Sequence, residues 1–241
     1  MTPFRALVTV TLRGLLGRRR TVLMVLLAAL PVLVALLIRI GGGRSDAPEI
    51  LDTLVIRTVL PLIALVVGTA AIGSEVEDGT AVFMLIKPIP RWQVALAKVA
   101  VAAGLTAALV VPAILVTGVL VGGASGAALG TALGFAGAAV AGGTAYAVAF
   151  TALGALTTRA LLVGLGYTLL WEGVLAGLLD GTRYFSIRQA TLGLAAAWTG
   201  EDAGVDILEP LVSTVIVVVV IAGGFALTTL ALSRFQVRSA D

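Results

Sequence analysis

Residues 74–91 read SEVEDGTAVFMLIKPIPR, and together with Lys98 they hold three acids and three bases between two apolar segments. Each flanking segment is long enough to cross a bilayer core, which takes about 20 residues of helix. The stretch is therefore a strongly polar segment between two membrane-spanning segments. We interpret it as the place where a partner outside the membrane contacts the chain.

The composition supports this assignment to the membrane. The 241 residues are 59% hydrophobic and only 12% charged, and the mean hydropathy is +1.12. Charged residues make up about a quarter of a soluble domain. The net charge of +3 is carried mainly by arginines near the ends of apolar runs, which is typical of topology signals and lipid contacts. We therefore expect membrane lipids, and no nucleic acid, among the partners.

The missing residue types exclude several kinds of enzyme. The chain has no His and no Cys, so Ser-His and Cys-His catalysis and thiolate zinc sites are excluded. Lys87 and Lys98 are the only lysines, and neither lies in a phosphate-binding G-x-x-x-x-G-K-[ST] loop. We expect no cofactor on this chain, no enzymatic activity of its own, and a separate protein to bind any ATP.

The apolar runs predict an all-α polytopic fold, with residues 1–241 forming one transmembrane domain. An amphipathic helix at residues 3–20 is expected to lie in the cytoplasmic interface and to end at the arginine triplet Arg18 to Arg20. The first apolar run is too long for a signal peptide and has no small-x-small cleavage site before Arg39. The six predicted spans are residues 21–40, 54–73, 94–121, 127–156, 160–179 and 210–232.

The charge distribution predicts the orientation. Eleven of the 16 Lys and Arg residues lie in or beside the segments assigned to one side, so the positive-inside rule places both termini in the cytoplasm. We expect Lys98 and Arg57 to snorkel from their spans to opposite membrane surfaces.

The outer segment 180–209 is too apolar to be fully solvated, and short helices dipping into the outer interface are predicted between spans 5 and 6. Its residues Tyr184, Phe185 and Trp198 are either interfacial anchors or part of an exit gate.

The fourth span carries a regular stripe of small residues. They recur at every fourth position, as Gly126, Gly130, Gly134, Ala138 and Gly142. Such a stripe lets neighbouring backbones approach closely. It serves either packing within the subunit or a seam between subunits.

Glu172, in the sequence LLWEG, is the one acid that we place well inside a span. Burying a carboxylate there costs a few kcal/mol, so it should face protein, water or a cation. Two interpretations stay open. Glu172 belongs to the translocation path or a gate, together with Tyr184 and Phe185, or it forms a structural ion pair with Arg57, Arg183 or Arg188.

Within residues 74–91 the local signals predict a short helix or helical elbow. Ser74-x-x-Glu77 has the spacing of a capping box, which indicates a new helix at Ser74. Gly79 permits a bend, and Lys87-Pro88 disfavours further helix. Pro90 is well placed to open the next helix. An ordinary charged loop is the alternative.

The same stretch resembles the signature between spans 2 and 3 of ABC-2-type transporter permeases. The resemblance rests on Glu75, Gly79-Thr80, the apolar residues 83–86, Pro88, Arg91 and the downstream Lys98. At the level of topology it covers the whole chain. Pro90 stands where the family often has Ser or Thr, and all three suit a helix start.

The resemblance implies a permease subunit of a bacterial exporter in the cell membrane. Such a subunit pairs with a second permease, identical or different, and with two ATPase subunits that bind ATP and Mg. The matching stretch would be the coupling helix seated in the ATPase. The residues implied in this coupling are Glu75, Glu77, Asp78, Gly79, Thr80, Pro88 and Arg91.

Two other classes of function remain. The chain could be a scaffold or sensor that tethers an ATPase without transporting anything, or a polytopic lipid-modifying enzyme. The last is disfavoured because the spans lack clustered acids, His and Cys. The apolar spans disfavour an ion path, and leave lipids, amphipathic drugs, peptides or an accessory role in metalloprotein maturation.

Overall fold

The computed structural model describes residues 3–41, 46–77, 90–123, 125–175, 181–200 and 207–234. Every regular element in these ranges is helical. The α-helices are α1 (Pro3–Leu15), α2 (Arg18–Ile40), α3 (Ala47–Ile50), α4 (Leu60–Glu77), α5 (Arg91–Gly122), α6 (Gly126–Leu156), α7 (Ala160–Gly166), α8 (Ile187–Thr199) and α9 (Pro210–Arg234). Two π-helical segments, Leu51–Val59 and Tyr167–Leu175, continue α3 and α7, and a 3₁₀ turn at Thr182–Phe185 precedes α8.

The predicted all-helical membrane class is confirmed. By length and composition, five helices of the described chain can cross a membrane, namely Arg19–Ile40, Ala47–Gly73, Arg91–Gly122, Gly126–Leu156 and Pro210–Arg234. They correspond to predicted spans 1, 2, 3, 4 and 6. The predicted fifth span, 160–179, is described only as the apolar helix Ala160–Leu175, which is shorter than the roughly 20 residues that a full crossing needs.

Three predicted boundaries were wrong. The N-terminal helix ends at Leu15 rather than at residue 20, because Gly17 has an extended backbone and α2 starts at Arg18. The arginine triplet is therefore the first turn of α2.

The predicted outer loop 41–53 is helical from Ala47 onward, and Pro48 lies in the first turn, where its missing N–H costs nothing.

The predicted helix start at Ser74 is absent, since α4 continues without a break to Glu77. A capping-box spacing inside an established helix competes with an intact hydrogen-bond ladder.

The long helix α6 lies at the centre of the bundle and packs against α4, α5, α8 and α9. Glycines make these contacts close. A Cβ on Gly118 of α5 would lie 2.7 Å from the Ala132 Cβ, and one on Gly68 of α4 would lie 2.8 Å from the Phe150 Cβ. Such close approaches are typical of helix packing in membranes.

The bundle has two recognisable ends. The hairpin end is where α5 ends at Gly122 and α6 begins at Gly126, and the arginine end carries Arg91, Arg159 and Arg234. The turn from α6 to α7 at the arginine end takes only residues 157–159, as predicted.

Helix α8 lies deeper in the bundle than the sequence predicted. Residues 187–195 are all buried, so α8 does not merely dip into the outer interface. A Cβ on Gly142 of α6 would contact Thr191, and one on Gly134 would contact Thr199. Helix α8 therefore runs antiparallel to α6, along the half of α6 nearer the hairpin end.

Candidate functional site

The polar stretch that opened the sequence is described only at its edges. Glu75 and Glu77 belong to the last turns of α4. Asp78, Gly79, Thr80 and Pro88 lie outside the described residues, as does the predicted coupling helix. Helix α5 begins at Arg91, directly after Pro90, as predicted.

Lys98 does not snorkel to a surface. Its side chain is buried, and its Nζ donates a 2.6 Å hydrogen bond to the Ala71 carbonyl oxygen of α4. This bond joins α4 and α5 just inside the bundle from the polar stretch.

The second candidate site is centred on Glu172, in the second π-helical segment. The carboxylate is buried and accepts hydrogen bonds from three hydroxyls. The Tyr146 hydroxyl of α6 donates to Oε2, and the hydroxyls of Tyr167 and Ser186 each donate to Oε1 over 3.1 Å. The Arg188 backbone N–H donates to the same Oε1 over 3.0 Å.

These contacts cap the N-terminus of α8. The first N–H groups of a helix have no partner within the helix and need one elsewhere. The Gln189 N–H donates to the Ser186 hydroxyl over 3.2 Å, and the Ile187 N–H donates to the Tyr167 hydroxyl over 3.5 Å. Because Glu172 accepts the Arg188 N–H, a carboxylate lies at the positive end of the α8 dipole, where negative charge is stabilised.

The backbone that leads into α8 is also held by side chains. The Phe185 carbonyl oxygen lies 3.2 Å from the Tyr167 hydroxyl, whose single proton it shares with Glu172, and it accepts from the Trp171 Nε1 over 3.3 Å. Irregular backbone at membrane depth requires such partners. The second π-helical segment therefore anchors the start of α8 through three side chains, those of Tyr167, Trp171 and Glu172.

The cluster lies deep in the bundle. Tyr146 is ten residues from the end of α6 at Leu156, which is about 15 Å along a helix axis. That is about half the thickness of a bilayer core. We define the Glu172 cluster as Glu172, Tyr146, Tyr167, Ser186 and the Arg188 N–H.

No ion pair of Glu172 with an arginine is found among the described residues. Arg57 instead pairs with Asp52 in the first π-helical segment, over 2.8 Å, and does not snorkel alone. The Arg188 side chain is buried, its Nε has no hydrogen-bond partner, and no described carboxylate oxygen lies within 4.0 Å of its guanidinium. Within the described part of the chain, the partners of the carboxylate are hydroxyls and a backbone N–H rather than an arginine side chain.

Tyr184 and Phe185 lie near the Glu172 cluster and line an apolar groove of about 550 Å³ between α6, α7 and α9. Whether Glu172, Tyr184 and Phe185 belong to a translocation path or a gate stays a prediction. Trp198 lies elsewhere, since a Cβ on Gly137 would meet its ring near the hairpin end of α8. The three aromatic residues do not form one belt.

The small-residue stripe of α6 divides into two parts. At Gly134 and Gly142 it packs against α8, so this part serves packing within the subunit. At Gly126 and Gly130 nothing described lies within 4 Å of an added Cβ. The seam between subunits stays a prediction for this outer part.

A comparison with family models finds a match to the ABC-2 family transporter protein model over residues 16–179. The matched region is more than half of the chain and includes the polar stretch, α6 and Glu172. The chain belongs to the ABC-2 transporter family. It is thus a membrane transport permease, and the resemblance seen in residues 75–98 is confirmed at the level of the family.

Members of the ABC-2 family generally work with ATPase partners. A search of the curated proteins found no match to this ABC-2 family chain. The match ends before α8 and α9, so the part of the Glu172 cluster that α8 contributes lies outside it.

Sequence reasoning missed Tyr146, Tyr167 and Ser186 as partners of Glu172. Signals for two of them were present. Ser186-x-x-Gln189 has capping-box spacing, and Tyr146 is the only tyrosine of a span built mainly from Gly and Ala. Hydroxyls inside an apolar span need partners, and a buried carboxylate is an obvious one.

Proposed function

We propose that the chain is the permease subunit of a bacterial ABC-2-type exporter in the cell membrane, with both termini cytoplasmic. Two such subunits, identical or different, would enclose the translocation path. Two separate ATPase subunits would bind ATP and Mg and drive transport through this path. The observation that carries this proposal is the family match over residues 16–179.

The coupling segment is proposed to be residues 74–91. Support comes from its charge and from its position between two spanning helices, at the end of the bundle that carries Arg91, Arg159 and Arg234. ATP-driven closure of the ATPase pair would move this segment. The buried bond between Lys98 and Ala71 would help α4 and α5 to move together.

A charge reversal tests the coupling segment. In nanodiscs with its ATPase, the double variant Glu75→Lys/Glu77→Lys should lose most ATPase stimulation and copurify less ATPase. The exposed Glu49 lies at the other end of the same span, so Glu49→Lys is the matched control and should behave as wild type. Unchanged assembly and unchanged ATP hydrolysis in the double variant would contradict the assignment.

Transport itself separates the exporter from a tethering scaffold or sensor. Both would bind an ATPase, but only an exporter moves a substrate in reconstituted vesicles. ATP-dependent movement of an amphipathic substrate across the vesicle membrane supports the exporter. Stable assembly without movement of any substrate, over a panel of lipids, peptides and amphipathic drugs, favours the scaffold.

A further inference from the structure

The apolar groove beside the Glu172 cluster extends toward the arginine end of the bundle. One wall carries Leu153, three residues before the end of α6, and the facing wall carries Val163, near the start of α7. The other end lies at Phe185, beside the Glu172 cluster. The groove thus runs from near the arginine end to about the middle of the membrane.

The groove opens sideways, out of the bundle. Phe185 is 72% exposed and Val219 of α9 is 61% exposed, and both line it. At this depth the medium around the protein is hydrocarbon. Water does not fill an apolar space of this kind, because it needs two to four polar partners. Because the groove opens toward the bilayer, hydrocarbon is the medium that can fill it.

Charge at one end of the groove indicates the kind of lipid. Two exposed arginines lie at the arginine end of the helices that border the groove: Arg159 caps the start of α7, and Arg234 ends α9, 14 residues beyond the groove residue Val220. Neither forms an ion pair with a described residue. Arg159 is one turn from Val163, so a headgroup beside it could send an acyl chain directly into the groove. Anionic headgroups are attracted to such juxtamembrane cations.

We propose that the groove binds one acyl chain of an anionic bilayer phospholipid, whose headgroup contacts Arg159 and Arg234. The chain packs against Phe150, Leu153 and Val219 and ends beside Phe185. The site requires neither an ATPase nor a transported substrate. It places a lipid tail against the 3₁₀ turn that ends at Phe185, whose carbonyl oxygen is held by Tyr167 and Trp171.

Photolabelling tests the site in the full chain. The protein is placed in nanodiscs of phosphatidylglycerol and phosphatidylcholine, with a trace of either lipid carrying a diazirine midway along one acyl chain. After illumination, labelled peptides are mapped by mass spectrometry. We expect the phosphatidylglycerol probe to label groove residues of α9 at least several-fold more than Leu26 and Leu33, which are exposed on α2. Equal labelling of both surfaces would overturn the proposal.

Two variants separate the groove from the surface beside it. Val219→Trp fills the groove and should reduce groove labelling to the α2 level. Val218→Trp is the matched control, because Val218 is similarly exposed but does not line the groove, and its labelling should match wild type. If Val219→Trp is not monodisperse, Val215→Phe replaces it. Unchanged labelling in a folded groove-filling variant would overturn the proposal.

The headgroup contact has its own readout. Arg159→Gln/Arg234→Gln should retain groove labelling. The ratio of labelling by phosphatidylglycerol to labelling by phosphatidylcholine should fall by about fivefold for each arginine removed. An unchanged preference would refute the headgroup assignment. Because the chain has no Cys, Val219→Cys also tests for a second copy in the groove. We expect no disulfide between copies, and efficient crosslinking would overturn the lipid assignment.

Discussion

Glu172 is held by donors from three parts of the chain: α6, its own π-helical segment and the start of α8. The cost of burying the carboxylate is offset by these hydrogen bonds and by the α8 dipole. For the Tyr146 hydroxyl, the Ser186 hydroxyl and the Arg188 N–H, the carboxylate is the acceptor, whereas the Tyr167 hydroxyl also reaches the Phe185 carbonyl oxygen. One side chain therefore connects a spanning helix to a helix that follows it in the sequence.

Removing the carboxylate should destabilise the protein. Glu172→Ala leaves buried donors without an acceptor, at about 1–3 kcal/mol each. At least three donors lose their acceptor, so we expect its melting temperature in detergent to fall by at least about 6 °C, taking about 2–4 °C for each kcal/mol. Glu172→Gln keeps the shape of the side chain and one acceptor oxygen, so its melting temperature should fall less than that of Glu172→Ala. The control Glu49→Ala removes an exposed acid and should melt like wild type. Equal melting of Glu172→Ala and wild type would contradict the network.

The role of Glu172 in transport needs a separate measurement. If the residue serves the translocation path or a gate, Glu172→Gln should assemble with its ATPase but export at least several-fold more slowly. If it only anchors α8, this variant should export normally whenever it is folded. Normal assembly with normal export would therefore remove the path interpretation.

At this scale the sequence predicts that Glu172 is important, because a lone acid in an apolar span is costly. It does not predict the partners. The sequence left an arginine partner open, whereas the carboxylate accepts hydrogen bonds from hydroxyls 26 and 14 residues away along the chain. Such contacts depend on how α6 and α8 pack, which residue spacing within one helix does not reveal.

Helix α8 is held by α6 along its length as well as at its first turn. A Cβ on Gly142 would collide with the Thr191 Oγ1 and lie 2.8 Å from the Thr191 Cβ, so the two helices approach more closely than a side chain at residue 142 would allow. Gly130 lies on the same stripe and has nothing described within 4 Å. The two positions allow the same substitution to be compared in two environments.

We expect Gly142→Ala to displace α8 and lower the melting temperature by several degrees, although alanine favours helix by about 1 kcal/mol. Gly130→Ala should be neutral or slightly stabilising within the subunit. Limited proteolysis of the segment around α8 should increase only in Gly142→Ala. Equal effects of the two variants would mean that α8 does not pack on α6 in this way.

At the level of elements, the spanning helices were predictable because their apolar runs are long and uninterrupted, and span 4 agrees with α6 to one residue. The π-helical segments were not, because nothing in their residue pattern distinguishes them from α-helix. The burial of α8 was also underestimated. Its nine consecutive buried residues include Arg188 and Gln189, which a sequence pattern assigns to a solvated face.

The whole molecule has an orientation that a chain without cysteine makes easy to test. Single cysteines can be introduced at Gly126, exposed at the hairpin end, and at Thr158, exposed at the arginine end. With a membrane-impermeant maleimide on intact cells, Gly126→Cys should react. Thr158→Cys should react only after permeabilisation. The reverse pattern would invert the predicted topology and move residues 74–91 to the wrong side for an ATPase.

Two shorter helices, Ala160–Leu175 and α8, bear on whether the chain crosses the membrane an odd or an even number of times. Five complete crossings would leave the two ends of this chain on opposite sides of the membrane. The helix from Ala160 rises from the arginine end to the level of Tyr146, and α8 continues from that level to the hairpin end. We propose that together they add one crossing made of two pieces, which would make the total even. Cysteines at Thr2 and Ser239 should then react alike, on the same side as the segment proposed to meet the ATPase.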